Sequence, residues 1–174
     1  MGTGAWVFLA IVVALVLWAL AIYKALVALR NRFMNAFAQI EVQLSRRYEL
    51  IANLDTSEAV MAARANALNA LQRAAAMPGN PAAMQALAQA EGELARSLAE
   101  IRSNENVRAL QDELASTDTK FAFARQAYND SVMSYNTRRE VFPTNIIAGM
   151  FNFAPAELFV IEKPEQKEAP KVAF

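Results

Sequence analysis

The sequence contains no cysteine and no histidine. That alone excludes disulfides, thiolate nucleophiles, Cys/His zinc sites and imidazole acid–base pairs. Lys+Arg and Asp+Glu cancel at 17 each, so no global field draws the chain to nucleic acid. Its 5 glycines are isolated, which excludes a glycine-rich phosphate loop. Proline is almost as scarce, at 6 residues in 174. Charge is also missing locally, since no charged side chain precedes Lys24.

What is present is apolar and rich in alanine, with 55% hydrophobic residues in a length that suits one domain. With so few helix breakers, this composition predicts an all-α protein. The run from Ala5 to Tyr23 is almost wholly apolar. About twenty helical residues cover the roughly 30 Å of a bilayer's hydrocarbon. Trp6 and Tyr23 stand near the two ends, as interfacial anchors would. A signal peptide needs a positive leading region and a shorter apolar core, and neither is found. Residues 1–23 are therefore expected to form a transmembrane anchor. Lys24, Arg30 and Arg32 flank its C-terminal side, so the positive-inside rule places the following domain in the cytoplasm and the N-terminus outside. Alkaline phosphatase fused after Phe174 should then be inactive; an active fusion would reverse the orientation.

Neither glycine nor proline occurs between Ala5 and Met77. Leu26, Leu29, Phe33, Phe37, Ile40, Leu44, Tyr48 and Ile51 follow steps of three and four, which predicts one helix from the bilayer to about Leu54. Asp55-Thr-Ser-Glu58 has the capping-box pattern, with Asp55 as N-cap of a second helix running to about Met77. Its expected buried residues are Val60, Met61, Leu68 and Leu71. Pro78-Gly-Asn-Pro81 is a turn, with Asn80 capping a third helix and Pro81 at its first position. Met84, Leu87, Leu94, Leu98 and Ile101 keep its rhythm until Ser103-Asn104. A fourth helix runs to about Val141 with a coiled-coil-like seam from Val107 through Phe121, Tyr128 and Tyr135. The expected architecture is an N-terminal transmembrane helix continuing into a long antiparallel four-helix bundle over residues 24–141. A short apolar segment at 142–161 and a disordered charged tail at 162–174 follow it.

Two blocks carry a family resemblance. Residues 29–51 with Asn53-Leu54, and residues 121–136 with Phe142-Pro143 and Asn145, resemble the signature of the LemA family. The resemblance implies a single-pass protein of the bacterial cytoplasmic membrane carrying an antiparallel helical bundle, without an established enzymatic activity. It also implies an accessory role beside a membrane zinc metalloprotease of the HtpX type. Three departures accompany it. Ala52 stands where the family has proline, a segment containing Tyr and His-Glu is missing after Leu54, and Leu158–Glu162 replaces a more aromatic pair before the glutamate.

The polar positions of those blocks are Asn31, Asn35, Gln39, Arg46 and Arg47 in the first helix, and Arg125, Asn129 and Asn136 in the fourth. They read as a binding surface or a polar network that fixes register, or, structurally, as a solvated face beside the core or buried amides that satisfy one another. Amides lack the acid–base range of catalysis, which favours the structural reading. Glu41, Glu49, Asp112, Glu113 and Asp118 read as surface charge, and a di-metal carboxylate bundle would need histidines. Arg46-Arg47 lies about 35 Å along the helix from Lys24, too far for lipid headgroups. No catalytic residue, metal or cofactor is expected.

Three functions are weighed: a scaffold or adaptor binding other membrane proteins or its own copies, a regulator of a partner such as a protease, and an enzyme. The first two need only surfaces. The third needs convergent titratable groups, and none is found. The first and fourth helices should be about 46 and 55 Å long, against about 31 and 33 Å for the second and third. The hairpin is then too short to cover the membrane-proximal stem. Leu26, Leu29, Phe33, Tyr135 and Val141 are expected to be uncovered there, beside Ile146, Ile147, Met150, Phe151, Phe153, Leu158 and Phe159. That apolar segment is expected to pack onto the stem, a neighbouring copy or the headgroup layer and to mark the partner site, the alternative being that it merely completes the protein's own bundle. Deleting residues from Ile146 onward is expected to leave the bundle's own stability intact.

Overall fold

A computed structural model describes residues 2–54, 57–101 and 105–161, with backbone alone at 105–109. The expected cap at Asp55, the break at Ser103-Asn104 and the charged tail lie outside the described residues, as does the side chain of the seam position Val107. Among the described residues five helices follow in order: α1 Thr3–Ala52, α2 Glu58–Ala76, α3 Pro81–Ile101, α4 Glu105–Glu140 and α5 Thr144–Met150. Among the described residues there are no strands. The chain is all-α, as its composition predicts, with α5 as an element that its short length and missing period concealed.

Helix α1 is a single 50-residue helix. It is the one helix among the described residues long and apolar enough to cross a membrane. Its first half is exposed along its whole circumference, from Trp6 to Leu20. From Ile22 onward one face turns inward, and Leu26, Phe33, Phe37, Ile40, Leu44, Tyr48 and Ile51 enter the core.

The inward face of α1 packs along α4, and the α2–α3 hairpin packs against α1 through α2. Aromatic pairs fix the antiparallel register: Phe33 meets Tyr135 at 5.0 Å, and Phe37 meets Tyr128 at 5.7 Å, both edge-on. The hairpin interface is narrow because α2 presents alanines at Ala63, Ala67, Ala70 and Ala74. Met61, expected inside, is exposed, and those alanines take the space the rhythm assigns to larger side chains. The N-cap of α2 is Ser57, without a side-chain hydrogen bond, so Glu58 begins the helix rather than standing at its third position.

The turn into α3 is built as its residues require. Asn80 Oδ1 accepts from the Ala83 N–H at 3.1 Å, and Gly79 adopts φ +83°. A Cβ there would stand 3.0 Å from both Phe33 Cε2 and Ala156 Cβ, so only glycine suits the position. The turn therefore reaches down the stem as far as Phe33. Below it the chain covers its own stem with residues 144–161. Leu26, Phe33 and Tyr135 are fully enclosed and Leu29 partly, so the stem that the hairpin leaves open is taken by the chain's own C-terminal segment. Only Val141 of that group is exposed.

Candidate functional site

Two polar constellations stand out in this fold. The first is buried between α1 and α3. Glu91 occupies a core position on α3 between Leu87 and Leu94 and is 1% exposed. Arg47 donates from Nη1 to Glu91 Oε2 at 2.6 Å, and the Tyr48 hydroxyl donates to Oε1. Arg47 Nε also lies 3.2 Å from Asp118 Oδ1 on α4. The separation is that of an ion pair, although the N–H does not point along it. Arg64 Nε donates to the Tyr48 carbonyl at 2.6 Å, tying α2 to the same place. One guanidinium thus joins α1, α3 and α4, and its neighbour in sequence brings in α2.

Burial pushes the Glu91 carboxyl above the usual carboxylate range. Arg47 and the Tyr48 hydrogen bond oppose that rise, while Asp118 adds to it. The Tyr48 hydroxyl is likewise pushed up, chiefly by burial and then by the Glu91 charge, so it stays a donor. A cleft of about 320 Å³ opens beside Arg47 and Asp118, walled by Ala95, Leu98 and Leu114. Of the Arg47 donors, Nη1 is committed to Glu91, while Nε makes only the ion-pair contact with Asp118. The arrangement locks four helices together.

The second constellation holds the C-terminal strap, residues 153–161. The Asn129 amide donates from Nδ2 to the Phe159 carbonyl at 3.0 Å and accepts from the Phe159 N–H at 2.8 Å. Asn136 does the same for Ala156, at 2.8 and 2.9 Å. A side-chain amide has the donor and acceptor of a peptide group, so each asparagine pairs with the strap as a neighbouring strand would. The preceding residues complete the clamp: the Tyr128 hydroxyl donates to the Glu157 carbonyl at 2.7 Å and the Tyr135 hydroxyl to the Ala154 carbonyl at 2.8 Å. Burial raises both tyrosines above the usual phenol range and keeps them donors.

The register of this clamp is geometric. Tyr-Asn occurs at 128–129 and again at 135–136. Seven helical residues advance about 10.5 Å. Three residues of extended chain advance about 9–10 Å, and the partners on the strap are three apart. Phe153, Ala156 and Phe159, every third residue, point inward. Phe159 packs edge-on against Phe121 at 5.7 Å, and Arg125 lies over the Phe121 ring, 5.8 Å from its centre. The Glu157 N–H donates to the Gly79 carbonyl at 2.9 Å, so the strap is fastened to the hairpin turn as well. Entry into the strap is set by Asn152, at φ 54°, where a side-chain amide is tolerated better than most. There the Phe153 N–H returns to the Ala148 carbonyl at 2.9 Å and closes α5.

The residues singled out from sequence therefore separate. Asn129, Asn136 and Arg47 hold the fold together. Arg46 makes an exposed pair with Glu113 at 3.2 Å, a contact worth little in water. Asn31, Asn35 and Gln39 are exposed, and their side chains make no hydrogen bond within the described residues. Of the expected partner patch, Leu26, Phe33, Tyr135, Phe153 and Phe159 are buried by the chain itself, while Ile146, Met150, Phe151 and Leu158 are exposed and Leu29 and Ile147 half-buried. Glu91 and the paired tyrosines were missed as polar anchors. The signals were a carboxylate inside an apolar ladder and a dipeptide repeated at a heptad spacing. Among the described residues no group of three or more carboxylates is placed to hold a metal ion.

No curated protein matches this chain in sequence. The LemA family pattern matches residues 36–174, from the middle of α1 through the strap. That match covers most of the chain and includes both clamping dipeptides and the Arg47-Tyr48 pair; the chain belongs to the LemA family.

Proposed function

We propose that this protein is a membrane-anchored helical scaffold that binds other membrane proteins close to the bilayer. The carrying observation is the continuity of α1. The same 50-residue helix is an exposed apolar run in its first half and the core of the bundle in its second. A helix without a hinge holds what is bound to the bundle at a fixed distance and orientation from the bilayer. In this reading the span lies in the bacterial cytoplasmic membrane, with the bundle on the cytoplasmic side. No catalytic step enters it.

The surface we assign to partners is the outer face of α1. Asn31, Asn35 and Gln39 recur at every fourth residue there, beside exposed Met34 and Val42. These amides do nothing for the chain's own fold, whereas Asn129 and Asn136 are spent inside it. A photo-crosslinking residue at Asn35 or Gln39, in intact cells, should give a discrete adduct in the membrane fraction. The same residue at exposed Glu100 should give none. A mass of twice the chain would identify self-association, and a metalloprotease band would identify the accessory role. Equal, diffuse labelling at all three positions would sink the scaffold reading.

A further inference from the structure

The apolar surface that remains beside the stem has a specific position. Phe151 meets Tyr23 edge-on at 5.0 Å, and Phe153 meets it at 5.6 Å. Tyr23 is the last residue of the uncharged run in α1. The α5 region thus sits at the level where the apolar half of α1 ends. From Val141 to Ala156 the chain carries no charged residue. Within that stretch Phe142 is 74% exposed, Met150 69% and Ile146 52%, although Ile147 and Ala148 are turned to the protein. Exposed apolar side chains clustered in this way seldom remain in water.

Charge rings the same level. Lys24 follows Tyr23 directly, and Arg30 and Arg32 stand about 10–14 Å further along the helix. Tyr135 packs on Phe33, so Arg138 and Arg139, one turn later in the antiparallel α4, fall near Arg30. Arg30 itself lies over the Phe153 ring at 5.1 Å. Among the described residues Glu140 is the one acidic residue of this level, since none precedes Glu41 and none falls between Glu140 and Glu157. Five cations against one anion stand within about a Debye length or two of the exposed apolar residues.

We infer that residues 141–151 form a foot that enters the headgroup layer of an anionic bilayer, giving the protein a second membrane contact beside its span. The occupant is lipid rather than a second copy for two reasons. The foot continues the apolar surface of α1 at the depth where that helix leaves the hydrocarbon. The basic ring matches phosphate headgroups and would repel the same ring on another copy. Two contacts fix the tilt and rotation of the bundle, which a single helix crossing a bilayer does not. The inference rests on the reading of α1 as a membrane span.

The absence of cysteine makes the test direct. The full chain, as Ile146→Cys or Met150→Cys, carries one environment-sensitive fluorophore in vesicles of phosphatidylcholine with phosphatidylglycerol. Leu15→Cys reports the span and Ser116→Cys the far end of the bundle. Lipids with a nitroxide near the headgroup should quench the Ile146 and Met150 probes several-fold more than the Ser116 probe, and aqueous iodide should reach only Ser116. Arg32→Gln with Arg138→Gln, or omission of phosphatidylglycerol, should weaken the quenching at Ile146 and leave that at Leu15 unchanged. Iodide access at Ile146 with Leu15 quenched by deep nitroxides would overturn the foot and keep the anchor. Shielding from iodide without quenching by lipid would assign the patch to protein and also overturn it. A Leu15 probe untouched by lipid nitroxides would remove the anchor and the foot together.

Discussion

Glu91→Leu should destabilise the bundle by about 3 kcal/mol or more, the usual cost of breaking a buried ion pair from one side. The cost comes from what is left behind. Arg47 would keep its charge in a site that is nearly closed to water, with Asp118 as its remaining partner, and the Tyr48 hydroxyl would lose its acceptor. At about 2–4 °C per kcal/mol for a chain of this size, the melting temperature should fall by roughly 6–12 °C. Removing both charges tells another story. In Arg47→Met with Glu91→Leu, apolar groups fill the same volume and nothing charged is stranded, so most of the loss should be recovered. A double variant as unstable as the single one would mean that the cluster acts through packing rather than charge.

The same carboxyl gives a pH signature. Its pKa in the folded chain lies above the ordinary value, so the folded state holds this proton more tightly than the unfolded state does. Its contribution is therefore most favourable below the ordinary carboxylate range. It declines as the pH rises from that range through the raised pKa, and levels off beyond it. Glu91→Gln cannot titrate, and denaturant melts from acid to neutral pH should show that part of the slope gone. An unchanged slope would place the titration on another group.

How much of this could be read in the chain depended on whether a residue obeyed a period. The 3-4 spacing from Leu26 to Ile51 and from Leu114 to Tyr135 marks the paired long helices, and Asn80-Pro81 marks the third helix by cap chemistry alone. Glu91 was hidden because a carboxylate in the ladder of Met84, Leu87, Leu94 and Leu98 reads as an interruption. It is buried only because Arg47 and Tyr48, 44 and 43 residues away, arrive opposite it. The strap was hidden for a different reason. Its inward residues recur every third position, which matches neither a helix nor a sheet, and its hydrogen bonds come from α4 side chains rather than from a partner strand. Length arithmetic rightly makes the α2–α3 hairpin shorter than the stem. It could not show that Gly79, Ala156 and Phe33 close the gap.

Truncating the chain after Asn152 should cost more than any single substitution, against the expectation that the C-terminal segment is dispensable for the bundle. The lost residues include Phe153 and Phe159, each contributing roughly 1.5–3 kcal/mol by burial. Their removal also exposes Phe121, Tyr128 and Tyr135, which are now covered. Six hydrogen bonds from Tyr128, Asn129, Tyr135 and Asn136 go with them. A loss of about 5 kcal/mol or more is comparable with the whole net stability of an ordinary domain. The truncated bundle should therefore melt without a cooperative transition or at a much lower temperature. A single atom tests the clamp itself. Asn136→Asp keeps the acceptor for the Ala156 N–H but turns the donor to its carbonyl into a second oxygen. That unpaired, repelled carbonyl should cost about 1–3 kcal/mol at neutral pH and less in acid, where the introduced carboxyl, once protonated, can donate again. If Asn136→Asp melts like the parent at neutral pH, the amide clamp does not hold the strap, and burial of the two phenylalanines alone keeps it in place.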